Sequence, residues 1–254
     1  MPQALRQQNQ RNPVEAAIRR DLAACYRLVA HFGWDDLLAN HISARLPGPE
    51  DAFLINPFGI LFEEVTASSL IKIDMDGRML EPCDYKVNPA GFVIHSAIHQ
   101  ARPEVGCVIH LHSKDGVAVS STAAGVLPLN QTAMLFYQDL AFHEFEGIAT
   151  SLDERARLQV DLGNHNYMLL RNHGTLTVGE SIASAFYRMY WFETACTIQV
   201  RTLSMNAALH AAPQAALDKV GEQANETAIE RFSLDLAWPT LLRKVARLYP
   251  DYAD

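Results

Sequence analysis

The sequence predicts an α/β domain, from two observations. Short apolar runs broken by Gly, Pro and Asn fill the first two-thirds of the chain, as strands and tight turns do. Amphipathic helical patterns flank them, one near the start, one before residue 101 and a series after residue 181. No internal repeat and no linker composition interrupts the chain, so residues 13–254 read as one domain behind a tail at residues 1–12.

The elements follow in order. Residues 1–11 are rich in Gln and Arg without apolar periodicity, and a disordered or extended tail is expected there. Asn12-Pro13 supplies an N-cap and a first helical position. Ala17, Ile18, Leu22, Cys25, Leu28 and Val29 then recur at helical spacing until Gly33. Strand-like runs continue to about residue 80. Asn88-Pro89 opens a helix that reaches Gln100 and ends at Arg102-Pro103, with Gly91, His95 and His99 on one face. Residues 105–112 read as a buried strand, followed by a helix to Ala124 that Gly125 stops. Leu169-Leu170 closes another apolar strand, whose tip is Arg171-Asn172-His173-Gly174. Helices are expected over residues 181–203, 214–231 and 235–248. Tyr187, Tyr190 and Trp191 on the first of these suit core and oligomer packing.

Composition excludes several classes. With 49% hydrophobic and 20% charged residues the chain is ordinary for a globular domain, and its net charge of −8 argues against a nucleic-acid partner. No apolar run approaches the ~20 residues that span a bilayer, so no membrane partner is expected. Cys25, Cys83, Cys107 and Cys196 are scattered, without a C-x-x-C pair, which suits reduced thiols and a cytoplasmic enzyme.

The chemistry is concentrated in histidines. In Val108-Ile109-His110-Leu111-His112 two imidazoles lie two residues apart, so on a strand they project from the same face. His173 stands at the end of a second strand. Three neutral imidazoles on rigid elements can hold a divalent metal and leave positions open for water or substrate. Zn²⁺ is the ion expected, with Mn²⁺, Fe²⁺, Co²⁺ and Ni²⁺ as alternatives that ligand chemistry admits. Ordinary interior or surface histidines are the competing reading.

The segment His95-(x14)-His110-Leu111-His112, with Asn172-His173-Gly174 downstream, resembles the class II aldolase/adducin family. Asn40-His41-Ile42-Ser43-Ala44-Arg45, Asn56-Pro57-Phe58-Gly59 and Ile71-Lys72-Ile73-Asp74 resemble further family turns and strands. The resemblance implies a three-layer α/β/α sandwich on a mainly antiparallel sheet, His110, His112 and His173 as metal ligands, and a homotetramer with sites between subunits. It also exposes departures. The family aldolases' proton-shuttling glutamate falls at Gly91. Their phosphate-binding serines fall at Pro89 and Ala90, the phosphate-loop threonine at Phe58, and the loop glycine at Ala39. Standard sugar-phosphate aldolase activity is therefore not expected.

His95 and Gln131 are the candidates for the missing acid/base, with Glu63, Glu64 and Glu144 as the carboxylates to test for reaching the site instead. Asn40, Asn56 and Asn88 are candidate substrate-binding amides, and Lys86 a candidate partner for a substrate carboxylate. His143-Glu144-Phe145-Glu146-Gly147 lacks the H-E-x-x-H spacing of zinc proteases and reads as a polar loop at a subunit contact. The function expected is a metal-dependent lyase, of aldolase or decarboxylase type, on a small non-phosphorylated carbonyl or carboxylate. A non-haem Fe²⁺ oxygenase and a non-catalytic adducin-like binding module are the alternatives.

Overall fold

The computed structural model describes residues 12–254. The tail expected over residues 1–12 lies, except for Asn12, outside the described residues. Helix α1 (Pro13–Phe32) starts as expected: Asn12 Oδ1 accepts from Val14 N, and Gly33 ends the helix at φ 69°. Seven strands follow: β1 (His41–Arg45), β2 (Ala52–Ile55), β3 (Ile71–Asp74), β4 (Cys107–Leu111), β5 (Leu140–His143), β6 (Tyr167–Leu170) and β7 (Gly174–Gly179). They form one sheet in the order β3-β2-β1-β4-β7-β6-β5. Every pair is antiparallel except β5–β6.

Alternation along the strands divides the core between the two faces of this sheet. Cys107, Ile109 and Leu111 of β4 pack with Leu22 and Leu28 of α1 and with Phe186 and Phe192 of α6 (Ile182–Ser204). Val108 points the other way, toward Ile94 and Ile98 of α2 (Pro89–Ala101) and Leu158 of α5 (Glu154–Leu162). Helices thus cover both faces, and the α/β/α sandwich on a mainly antiparallel sheet is present.

Three helices differ from expectation. Helix α3 spans only Lys114–Ser120, not residues 114–124. Ser121 and Thr122 turn their hydroxyls back onto the Val117 and Val119 carbonyls, an alternative to continuing the helix. After α4 (Gln131–Met134), α5 and α6, the segment expected as one helix over residues 214–231 is two, α7 (Gln214–Gln223) and α8 (Glu226–Phe232). Asn225 caps the second by accepting from Ala228 N at 3.1 Å. The last helix, α9 (Trp238–Leu248), starts beyond the expected residue 235 because a π-helical turn over Ser233–Ala237 precedes it. His143 is not in a loop: it closes β5 and is buried, with Nδ1 2.7 Å from Asp161 Oδ2 and Nε2 3.4 Å from Glu154 Oε1. It ties α5 to the sheet.

Candidate metal centre

Strand geometry brings the three histidines together. His110 sits on β4, His112 just beyond its end, and Leu111 between them enters the opposite core. His173 arrives on the β6–β7 turn, where Asn172 takes the left-handed conformation at φ 55°. Gly174 is required beside it. A Cβ there would lie 2.2 Å from the Leu111 carbonyl oxygen, so only glycine lets the turn close against β4.

The rings point their Nε2 atoms at one another. His110 Nε2 lies 3.0 Å from His112 Nε2 and 3.3 Å from His173 Nε2. Donors ~2.0–2.1 Å from a tetrahedral zinc would stand about 3.3 Å apart, so the spacing fits a single ion. Hydrogen bonding supports the fit. His110 Nδ1–H donates to the Thr175 carbonyl at 2.9 Å, which leaves the Nε2 lone pair facing inward. His112 Nδ1 faces Asp36 Oδ2 at 3.5 Å. Lone pairs held this close repel unless a cation or a shared proton lies between them.

Charge is disfavoured on each ring. Burial, then His173, His112 and His41, hold His110 well below the usual imidazole range. Burial, then His112 and His143, bring His173 down to about 4. Burial lowers His112 as well, against the pull of Asp36. The neutral ring is the form that ligates metal.

A cavity of about 620 Å³ opens beside His112 and His173, lined also by His41, Phe58, Asn88 and Ala90. His41, unflagged by sequence, is paired in register with His110 on the adjacent strand. Its Nδ1 lies 2.9 Å from His95 Nε2; His95 Nδ1 lies 2.5 Å from Ser43 Oγ, which lies 2.8 Å from His99 Nε2. All four side chains are buried. Burial first, then neighbouring imidazoles, hold His41 and His95 well below the usual range; burial and Arg45 bring His99 to about 3.

The other candidates are placed as follows. Asn88 caps α2, accepting from Ala90 N at 3.0 Å, and lines the cavity. Asn40 is fully buried and accepts from Asp36 N, which holds the Asp36 turn; Asn56 accepts from Tyr26 Oη at 3.0 Å. Neither is a lining residue. Lys86 is exposed, Gln131 is exposed at the start of α4, and both lie outside the lining. Glu63, Glu64 and Glu144 are exposed and also lie outside it.

The sequence profile of the Class II Aldolase and Adducin N-terminal domain matches residues 20–200. The chain belongs to the class II aldolase and adducin family. It is 50% identical over 239 residues to a Caulobacter vibrioides protein provisionally named an aldolase class 2 protein, covering 93% of this chain and 91% of that one. The solved L-fuculose 1-phosphate aldolase from Glaciozyma antarctica PI12 is 29% identical, with a TM-score of 0.82 over 94% of this chain and 92% of that chain. Alpha-adducin of Mus musculus is 44% identical over 193 residues, which is 75% of this chain but only 26% of the adducin.

Within this family member the departure at position 91 has a structural counterpart. A Cβ on Gly91 would stand 2.9 Å from His41 Cδ2 and 3.0 Å from its Cγ. The His41 ring occupies the space beside the glycine, so a side chain at position 91 and the present His41 rotamer exclude each other.

Proposed function

We propose that the protein is a metal-dependent carbon–carbon lyase, of aldolase or decarboxylase type, acting on a small non-phosphorylated carbonyl or carboxylate substrate. The convergence of three Nε2 atoms from His110, His112 and His173 carries this reading. Zn²⁺ is the ion we favour for this all-imidazole set, to which Mn²⁺, Fe²⁺, Co²⁺ and Ni²⁺ are also suited. A divalent ion held there would supply Lewis acidity toward a substrate carbonyl or carboxylate.

The chain's own groups do the rest. The Thr175 carbonyl orients His110, and Asp36 faces His112 from behind. His41 lines the cavity and meets His95 through its Nδ1, and this pair is where we place proton transfer in a site without a carboxylate at position 91. We further propose residues 13–254 as one domain, a homotetramer with sites between subunits, and a cytoplasmic location. An adducin-like binding module is the second reading, favoured by the identity to alpha-adducin.

Metal analysis of protein purified without added metal decides between them, beside His110→Ala and His173→Ala. Near one equivalent in the wild type and none in either variant supports the enzyme. Iron in place of zinc or manganese would redirect the search to O₂-dependent turnover. No metal, with stability untouched by either substitution, refutes the enzyme and favours the binding module.

A further inference from the structure

The cavity beside the three histidines has a wall of one chemical kind. Ala39, Phe58, Ala90 and Ile94 form it, contributed by three separate stretches of chain. Among the described residues that line the cavity, Asp36 carries the one charged side chain, and none is Lys or Arg. On this chain's side of the cavity, away from the three histidines, an anionic tail would therefore meet Asp36, the Asn88 amide and hydrocarbon, with no lysine or arginine to offset its lost hydration.

The mouth is apolar as well. Leu37 is 72% exposed, Phe145 54% and Ile148 82%, and all three line the cavity. Leu37 is held at φ +45°, a left-handed conformation that costs a leucine stability, and it gains no burial in exchange. Exposed apolar groups gathered at the rim of a cavity mark a surface that a ligand or a second subunit covers.

We propose that the substrate joins its chelating carbonyl head to an uncharged apolar tail, an aryl or branched alkyl group, which lies against Phe58, Ala90 and Ile94. This rests on the metal-dependent reading above, since the head must be held at His110, His112 and His173 for the tail to reach that wall. The cavity's 620 Å³ falls within the range of about 300–1,000 Å³ typical of small-molecule sites.

Three hydroxamates supplied to zinc-loaded full-length protein test it by calorimetric titration. Acetohydroxamate offers the chelating head alone, benzohydroxamate adds a phenyl tail, and phosphonoacetohydroxamate adds an anionic one. Benzohydroxamate is expected to bind about tenfold more tightly than acetohydroxamate, from the apolar area its ring buries. The phosphonate is expected to bind more weakly than either. Phe58 is 41% exposed, so Phe58→Ser is expected to leave the fold intact, which the variant's unfolding midpoint checks. It is expected to cut the benzohydroxamate advantage severalfold while acetohydroxamate affinity holds.

Equal affinity for the acetyl and benzoyl probes overturns the apolar tail and leaves the metal-dependent reading standing. Tightest binding of the phosphonate overturns it too. Acetohydroxamate binding with benzohydroxamate excluded also overturns it. Zinc content measured on the same sample separates these results from failure of the underlying reading: protein that retains no zinc refutes both.

Discussion

Replacing Glu193 with glutamine isolates a pH-dependent contribution to stability that originates behind the histidine cluster. Glu193 reaches from α6 to both arms of the site, accepting from Ser113 Oγ and from Thr175 Oγ1, the latter at 2.6 Å. Ser113 follows His112, and the Thr175 carbonyl orients His110. The carboxyl is 1% exposed, and burial outweighs its two hydrogen bonds, with Asp115 adding to the upward push. It rises from 4.5 to about 7. Between those values the folded protein keeps the proton that the unfolded chain has lost, so native stability falls as pH rises through the window. At about 1.4 kcal/mol per pH unit the loss is about 3 kcal/mol by pH 8 and under about 1 kcal/mol at pH 5.

Glutamine matches the protonated acid in shape and cannot ionise. Urea denaturation of wild type and Glu193→Gln from pH 5 to pH 8 should show the variant's advantage growing by about 2–3 kcal/mol. The comparison between variants matters because the lowered histidines act oppositely in wild type, adding stability as pH rises through their range. Parallel pH profiles would refute the reasoning, as would a variant less stable than wild type at pH 8.

Three further outcomes are expected. Gly91→Ala should cost about 1–3 kcal/mol, because its Cβ meets the His41 ring at 2.9 Å. Thermal denaturation should show recovery when it is combined with His41→Ala, and no recovery would place the strain elsewhere. Gly174→Ala meets backbone rather than a movable side chain, the Leu111 carbonyl at 2.2 Å, and should both destabilise the protein and abolish metal retention; intact retention by metal analysis would contradict the close β4–β7 approach. Asp36→Asn weakens the partner of His112 Nδ1 and should lower zinc affinity about 10–100-fold in competition with a chelator, with unfolding midpoints little changed.

Local pattern alone determined much of this protein. The period-two spacing of His110 and His112, the N-caps Asn12 and Asn88, and the turn at Asn172-His173-Gly174 are all legible because each depends on neighbours a few residues away. Helix ends after residue 113 and residue 213 were less legible, since Ser, Thr and Asn side chains can serve either a helix or its interruption, and hydrogen bonds that form in the fold choose between them. Only tertiary structure decided what surrounds the histidines. His41 matters through β1–β4 pairing and contact with a helix that begins 48 residues later. Glu193 lies 80 residues from Ser113. Phe58 and Ala90 join one apolar wall only when their loops meet at the cavity. The family resemblance marks the stretches around His41, Phe58 and Ala90, but the roles of these groups come from desolvation and from partners that the sheet topology brings together.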